Sequence, residues 1–135
     1  MRKLYTPLGI IVFLWLTGCS IPEIKQPKFT IEVPLLIEQI KEMNQFENVQ
    51  IQSTVSAHND QTSYYIVVHI KNGQHLPEDD KELSNLGLQI AEKVKNKVEN
   101  AEEFDAFSIV FHSDYNVGFV RAGNSRQYNF RNTDI

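Results

Sequence analysis

The hydrophobic period of this chain switches from about 3.6 residues to two, back to 3.6 and again to two, and that succession restricts its fold more than any single motif. Behind Pro34, Leu36, Ile37, Ile40 and Met43 recur at helical spacing with Glu38, Gln39, Lys41 and Glu42 between them. Proline suits a first helical turn, so a helix of about three turns is predicted over roughly 34–46. From Asn48 the period is two: Val49, Ile51, Ser53, Val55 and Ala57 alternate with Gln50, Gln52, Thr54, Ser56 and His58. That is a strand with one buried and one wet face. His58-Asn59-Asp60-Gln61 has turn chemistry and Tyr64–Ile70 is a β-branched and aromatic run, so the two strands form an antiparallel hairpin that Asn72-Gly73 closes.

The second half repeats the order. Pro77-Glu78-Asp79-Asp80 puts acids where a helix dipole favours them, and Leu83, Leu86, Ile90, Val94 and Val98 form an apolar stripe lined by Lys93, Lys95 and Lys97. The expected helix covers about 79–101. Phe104–His112 follows with Phe107, Ile109 and Phe111 on one face and Ala106 and Val110 on the other, the pattern of a strand central in its sheet. Ser113-Asp114-Tyr115-Asn116 reads as a turn, Val117–Arg121 as a fourth strand and Gln127–Phe130 as a short further one. The fold class is therefore α+β: an antiparallel sheet of about four strands with two helices on one face, in the order helix-strand-strand-helix-strand-strand. The halves share negligible residue identity, which leaves duplication and coincidence both open.

The N-terminus has a separate character. Arg2 and Lys3 precede nine uncharged residues, Leu8–Leu16, a charged n-region followed by an apolar h-region. The run is about half the 20 residues that a membrane-spanning helix needs, and Pro22 follows closely. It ends in Leu16-Thr17-Gly18-Cys19, which resembles the lipobox of bacterial lipoproteins at all four positions. The resemblance implies thioether attachment of diacylglycerol to the Cys19 sulfur, with palmitate as the acyl chain, followed by cleavage that makes Cys19 the mature N-terminus. Residues 1–18 are then a signal peptide, 19–33 a lipidated tether with Pro22 and Pro27, and 34–135 a single α+β domain. Ser20 lacks the Asp that retains many enteric lipoproteins in the inner membrane, so the outer membrane or cell surface is expected ahead of the inner membrane.

Charge and cysteine count narrow the function classes. Loss of residues 1–18 leaves 11 Lys and Arg against 17 Asp and Glu, a formal charge near −6. Such a body does not suit nucleic acid, whose ligands displace counterions with basic patches. Anchoring falls instead to lipid, at about 0.8 kcal/mol per buried methylene. Cys19 is the only cysteine, so no intramolecular disulfide can form and stability rests on a core.

No constellation of catalytic residues emerges. His58, His69, His75 and His112 lack metal-ligand spacing and read as scattered, with His58 expected to pair near Ser63 and His69 near Gln52. His112-Ser113-Asp114 contains the members of a hydrolase triad, but strand neighbours point to opposite faces, and a hairpin shoulder is the better reading. Glu99, Glu102, Glu103 and Asp105 lie at a helix-to-strand connection without calcium-loop spacing. The candidate partner-binding residues are Arg121, Arg126, Tyr128, Phe130 and Arg131, arginines interleaved with aromatics in a segment with no acid before Asp134. The alternative for these is an edge strand guarded by charge. No catalytic residue, metal or cofactor is expected. The reading is a membrane-anchored envelope lipoprotein, a non-enzymatic binding or assembly module for a protein, peptide or glycan partner. The alternative is a small cell-surface enzyme or enzyme inhibitor.

Overall fold

A computed structural model of the chain describes residues 23–72, 76–117 and 120–135, with side chains outside 115–122. The expected signal peptide, Cys19, Ser20, Gly73 and His75 lie outside the described residues. Helix α1 (Val33–Asn44) is followed by β1 (Asn48–His58), β2 (Gln61–Lys71), α2 (Asp80–Lys95), β3 (Ala106–Val117) and β4 (Val120–Arg131). The fold is α+β, in the expected order of elements.

Local chemistry sets most boundaries. Pro34 stands in the first turn of α1, and Gln45 ends that helix in a left-handed conformation with φ 49°. Asp79 caps α2 by accepting the Glu82 N–H at 3.2 Å, which satisfies one of the orphan donors of the first turn. The helix stops at Lys95, short of the expected 101, because the incoming chain takes over the backbone beyond it. Thr30 N–H donates to Lys97 O at 2.9 Å, Glu99 N–H donates to Lys28 O at 2.7 Å, and Phe29 bridges Val98. Buried Asn100 locks the same strap: its Oδ1 accepts the Lys28 N–H at 2.6 Å and its Nδ2 donates to Gln26 O at 3.1 Å. The body therefore gathers in residues from about Gln26 onward, ahead of residue 34.

The sheet order is β1-β2-β3-β4. β1 and β2 are the expected antiparallel hairpin, and β3 and β4 are antiparallel along their whole length. β2 and β3 run parallel, from Tyr65↔Ala106 to Lys71↔His112, so the sheet is mixed rather than purely antiparallel. The cause is the connection. A crossover through one helix returns the chain to the end from which β2 started, and the next strand then enters in the same direction. The polar stretch Ser113–Asn116, expected to turn, continues β3 as far as Val117, and β4 starts at Val120, so the expected fourth strand is split between the two and the short piece at 127–130 is part of β4.

One face of the sheet is covered: α1 lies over β1, and α2 lies over β3 and β4. Leu36 and Ile40 of α1 and Leu83, Ile90, Ala91 and Val94 of α2 meet Val49, Ile66, Val68, Ile70, Phe107, Ile109 and Phe111 of the strands in one core. Gly87 belongs to the contact, since a Cβ there would stand 3.4 Å from the Phe130 ring and 3.5 Å from that of Phe111. Lys95, which its position in the helical stripe assigns to solvent, instead donates to Asn132 O at 2.8 Å and to Ile135 O. Asn132 in turn donates to Ala101 O at 2.9 Å and Phe104 O at 3.0 Å, so the last turn of the chain closes the end of α2.

Candidate functional site

The helices leave the second face of the sheet open. Side chains alternate along each strand, so this face receives Gln50, Gln52 and Thr54 from β1 and Tyr65, Val67, His69 and Lys71 from β2. β3 adds Ala106, Ser108, Val110, His112 and Asp114, and β4 adds Ser125, Gln127, Asn129 and Arg131, as the registers require. Neutral amides and hydroxyls predominate. Ser108 is buried and its Oγ accepts from Gln127 Nε2 at 3.0 Å, while Val110 is buried between the strands beside it. Towards the C-terminal ends of β2 and β3 the face dips into an open depression of about 330 Å³ lined by Asn48, Gln50, Gln52, His69, Lys71, His112 and Asp114.

A chain of hydrogen bonds crosses this depression. Gln52 Nε2 lies 2.7 Å from His69 Nε2, and His69 Nδ1 lies 3.0 Å from His112 Nε2. The imidazoles stack, with centroids 5.3 Å apart and planes 20° from parallel. With the Gln52 amide nitrogen towards the ring, one arrangement of protons satisfies every contact: Gln52 donates to His69 Nε2, and His69 Nδ1–H donates to His112 Nε2. Both rings are then neutral. Lys71 Nζ and Asp114 Oδ2 form an ion pair at 3.1 Å beside them, and Asn72 Oδ1 accepts the Asp114 N–H at 3.0 Å.

The histidines are thus not all scattered. Parallel β2 and β3, in the register Lys71↔His112, place His69 diagonally across from His112. The sequence holds both residues but gives no sign of the strand pairing that joins them. His69 pairs with Gln50 rather than Gln52, although its ring reaches the Gln52 amide, and His58 pairs with Gln61 rather than Ser63. His112 and Asp114 share the open face while Ser113 faces the helices, so the three do not form a relay. Among the described residues no group of three or more His, Cys, Asp or Glu side chains is placed to hold a metal ion.

Burial, and after it the neighbouring His112, lowers the pKa of His69 below the usual 6.5. Protonating His69 at Nε2 also removes the acceptor for the Gln52 amide. A base whose folded pKa is depressed is protonated first in the unfolded chain, so its contribution is complete above about pH 6.5 and declines as pH falls below it. The urea midpoint of the wild-type chain should therefore drop more between pH 7.5 and 5.5 than that of His69→Gln. Parallel losses in the two proteins would show that the pair has no part in acid sensitivity.

Strand alternation divides the C-terminal candidates. Tyr128 and Phe130 face the helices, where the Tyr128 hydroxyl donates to Asp80 Oδ1 at 2.7 Å and the Phe130 ring packs against Gly87. Burial, followed by that carboxylate, raises the Tyr128 pKa. Arg126 donates to Glu78 O at 3.2 Å on the same side, and Arg131 lies opposite Ala106 at the other end of β4. The Arg121 backbone pairs with Asn116 near the hairpin tip, and its side chain lies outside the described ones. Two members of the acidic run serve local structure: Asp105 Oδ2 accepts the Tyr64 N–H at 2.7 Å, and Glu103 accepts from Asn100, while Glu99 and Glu102 are exposed. Comparison with family models, curated proteins and solved structures finds no match to this chain.

Proposed function

We propose that the protein is a bacterial envelope lipoprotein, acylated on Cys19, whose non-enzymatic domain presents the open face of its sheet to an envelope partner. The observation that carries this reading is Leu16-Thr17-Gly18-Cys19 behind a basic and apolar leader, with the only thiol of the chain at the lipidation position. The domain agrees with it in two ways. It is built around a continuous core without disulfides, and its strap enters at Asn100 and Tyr64, the end of the sheet opposite Lys71 and Asp114. With Lys28 tied down, the nine residues from Cys19 to Pro27 span at most about 30 Å.

An anchored domain held in this way turns its strap end towards the bilayer. The depression with His69 and His112 then faces outward, and the neutral polar face beside it suits a partner that is read by hydrogen bonds more than by charge. Arg126 and Arg131 serve as guards of the exposed β4 edge. The test is expression of the full chain in a bacterium fed labelled palmitate. The expected product carries the label, sediments with membranes and begins at Cys19. An unlabelled product, or one cleaved elsewhere, would overturn the reading.

A further inference from the structure

We propose that β1 is a dimerisation edge, on which a second copy of this chain adds its own β1 antiparallel about a two-fold axis at Ser53 to make one eight-stranded sheet. Only β2 bonds the β1 backbone among the described residues, so an eleven-residue row of donors and acceptors lies open on the other side. Edge strands of that length are ordinarily broken by proline, a bulge or charge, because they otherwise template further pairing. β1 has none of these. From Asn48 to His58 it contains no Asp, Glu, Lys, Arg, Pro or Gly.

The occupant follows from the strand's own symmetry. Pairing β1 with itself about Ser53 sets Val49 against Ala57 and Ile51 against Val55 on the helix side, and Gln50 against Ser56 and Gln52 against Thr54 on the open side. Apolar residues meet apolar residues, neutral polar residues meet neutral polar residues, and no charge is opposed by its like. Ile51 and Val55 are only half-buried in the single chain, and a neighbouring strand would cover them. An isologous contact of this kind uses the edge on both copies and closes after two. The opposite edge does not propagate it, since β4 carries Arg121, Arg126 and Arg131. The inference rests on β1 alone and is independent of acylation at Cys19.

The test uses the full chain in its own membranes. Across the axis the two Ser53 Cα atoms stand about 5 Å apart, within disulfide range, whereas two Thr54 Cα atoms are separated by about 8 Å. Mild oxidation of Ser53→Cys should give a covalent dimer, and oxidation of Thr54→Cys or of the wild type, which reports Cys19, should not. Sedimentation of the detergent-solubilised chain supplies the second measurement. Gln50→Lys with Ser56→Lys, both exposed in the single chain, puts like charges opposite each other twice and should weaken the dimer by about tenfold or more. Gln50→Glu with Ser56→Lys should restore it. A chain that stays monomeric at all concentrations, crosslinking at both Ser53→Cys and Thr54→Cys, or equal dimerisation of the two charge variants would overturn the proposal.

Discussion

Ile90→Asp is expected to leave the domain unfolded at 25 °C. Ile90 is fully buried in the middle of α2, with Ala91 and Val94 beside it and the sheet beneath. The substitution removes a well-packed aliphatic chain, a loss of about 2–5 kcal/mol, and adds a carboxylate with no partner, which costs several more unless it takes up a proton. The sum is comparable with the entire stability of an ordinary domain, about 5–15 kcal/mol. No disulfide is available to hold the remainder together. Circular dichroism should show lost helix and no cooperative urea transition. Gln89→Asp, one residue away on the exposed side of α2, should shift stability by no more than about 0.5 kcal/mol. A cooperative transition near the wild-type midpoint in Ile90→Asp would mean that α2 does not rest on the sheet as described.

Cys19→Ser should abolish palmitate labelling altogether. A thioether needs a thiolate, which cysteine supplies at an accessible pKa of about 8.5 and a serine hydroxyl does not. On the proposed reading the processing step loses its substrate without the diacylglycerol, and the product should retain residues 1–18 or be cut elsewhere. Membrane retention in the mutant would then depend on an uncleaved leader whose apolar run is about half a bilayer span. The measurement is label per molecule, with the mass of the N-terminal peptide. Equal label in mutant and wild type would place the acyl chains on another residue and remove the basis for the anchoring geometry.

Elements with a clear period were legible in the sequence, and pairings were not. The stripe Leu83, Leu86, Ile90, Val94 and the alternation in β1 each identify an element because periodicity is a local property. Apolar residues on both faces of Phe104–His112 place β3 inside the sheet for the same reason: Val110 and Ala106 are buried on the open face as Phe107 and Ile109 are on the covered one. The parallel join of β2 to β3 depends on where a helix returns the chain, and alternation carries no record of the neighbouring strand. The contact of His69 with His112 has no local sequence signature for that reason. Ser113-Asp114-Tyr115-Asn116 has turn composition but sits in a ladder, where Asp114 meets Lys71 and Asn72. Asn100 gave no signal at all, since one asparagine in an acidic connection looks solvated until the strap of residues 26–30 is seen against it.

The parallel seam between the two hairpins also sets the order in which the chain can assemble. β1 with β2 and β3 with β4 are each closed by short connections, and such pairs form in about 1–10 μs once their turns are made. The seam joins groups as distant as His69 and His112, 43 positions apart in the chain. Its closure must bring two preformed ribbons together while α2 is laid across them, and loop entropy is lost before Val68 and Ile109 make contact. Docking of the two ribbons is accordingly expected to be the slow step of folding, as a slower folding rate in Ile109→Ala would check. Until it is complete, both sides of the seam are open edges in addition to β1 and β4, and the half-folded chain is most exposed to intermolecular pairing during that interval.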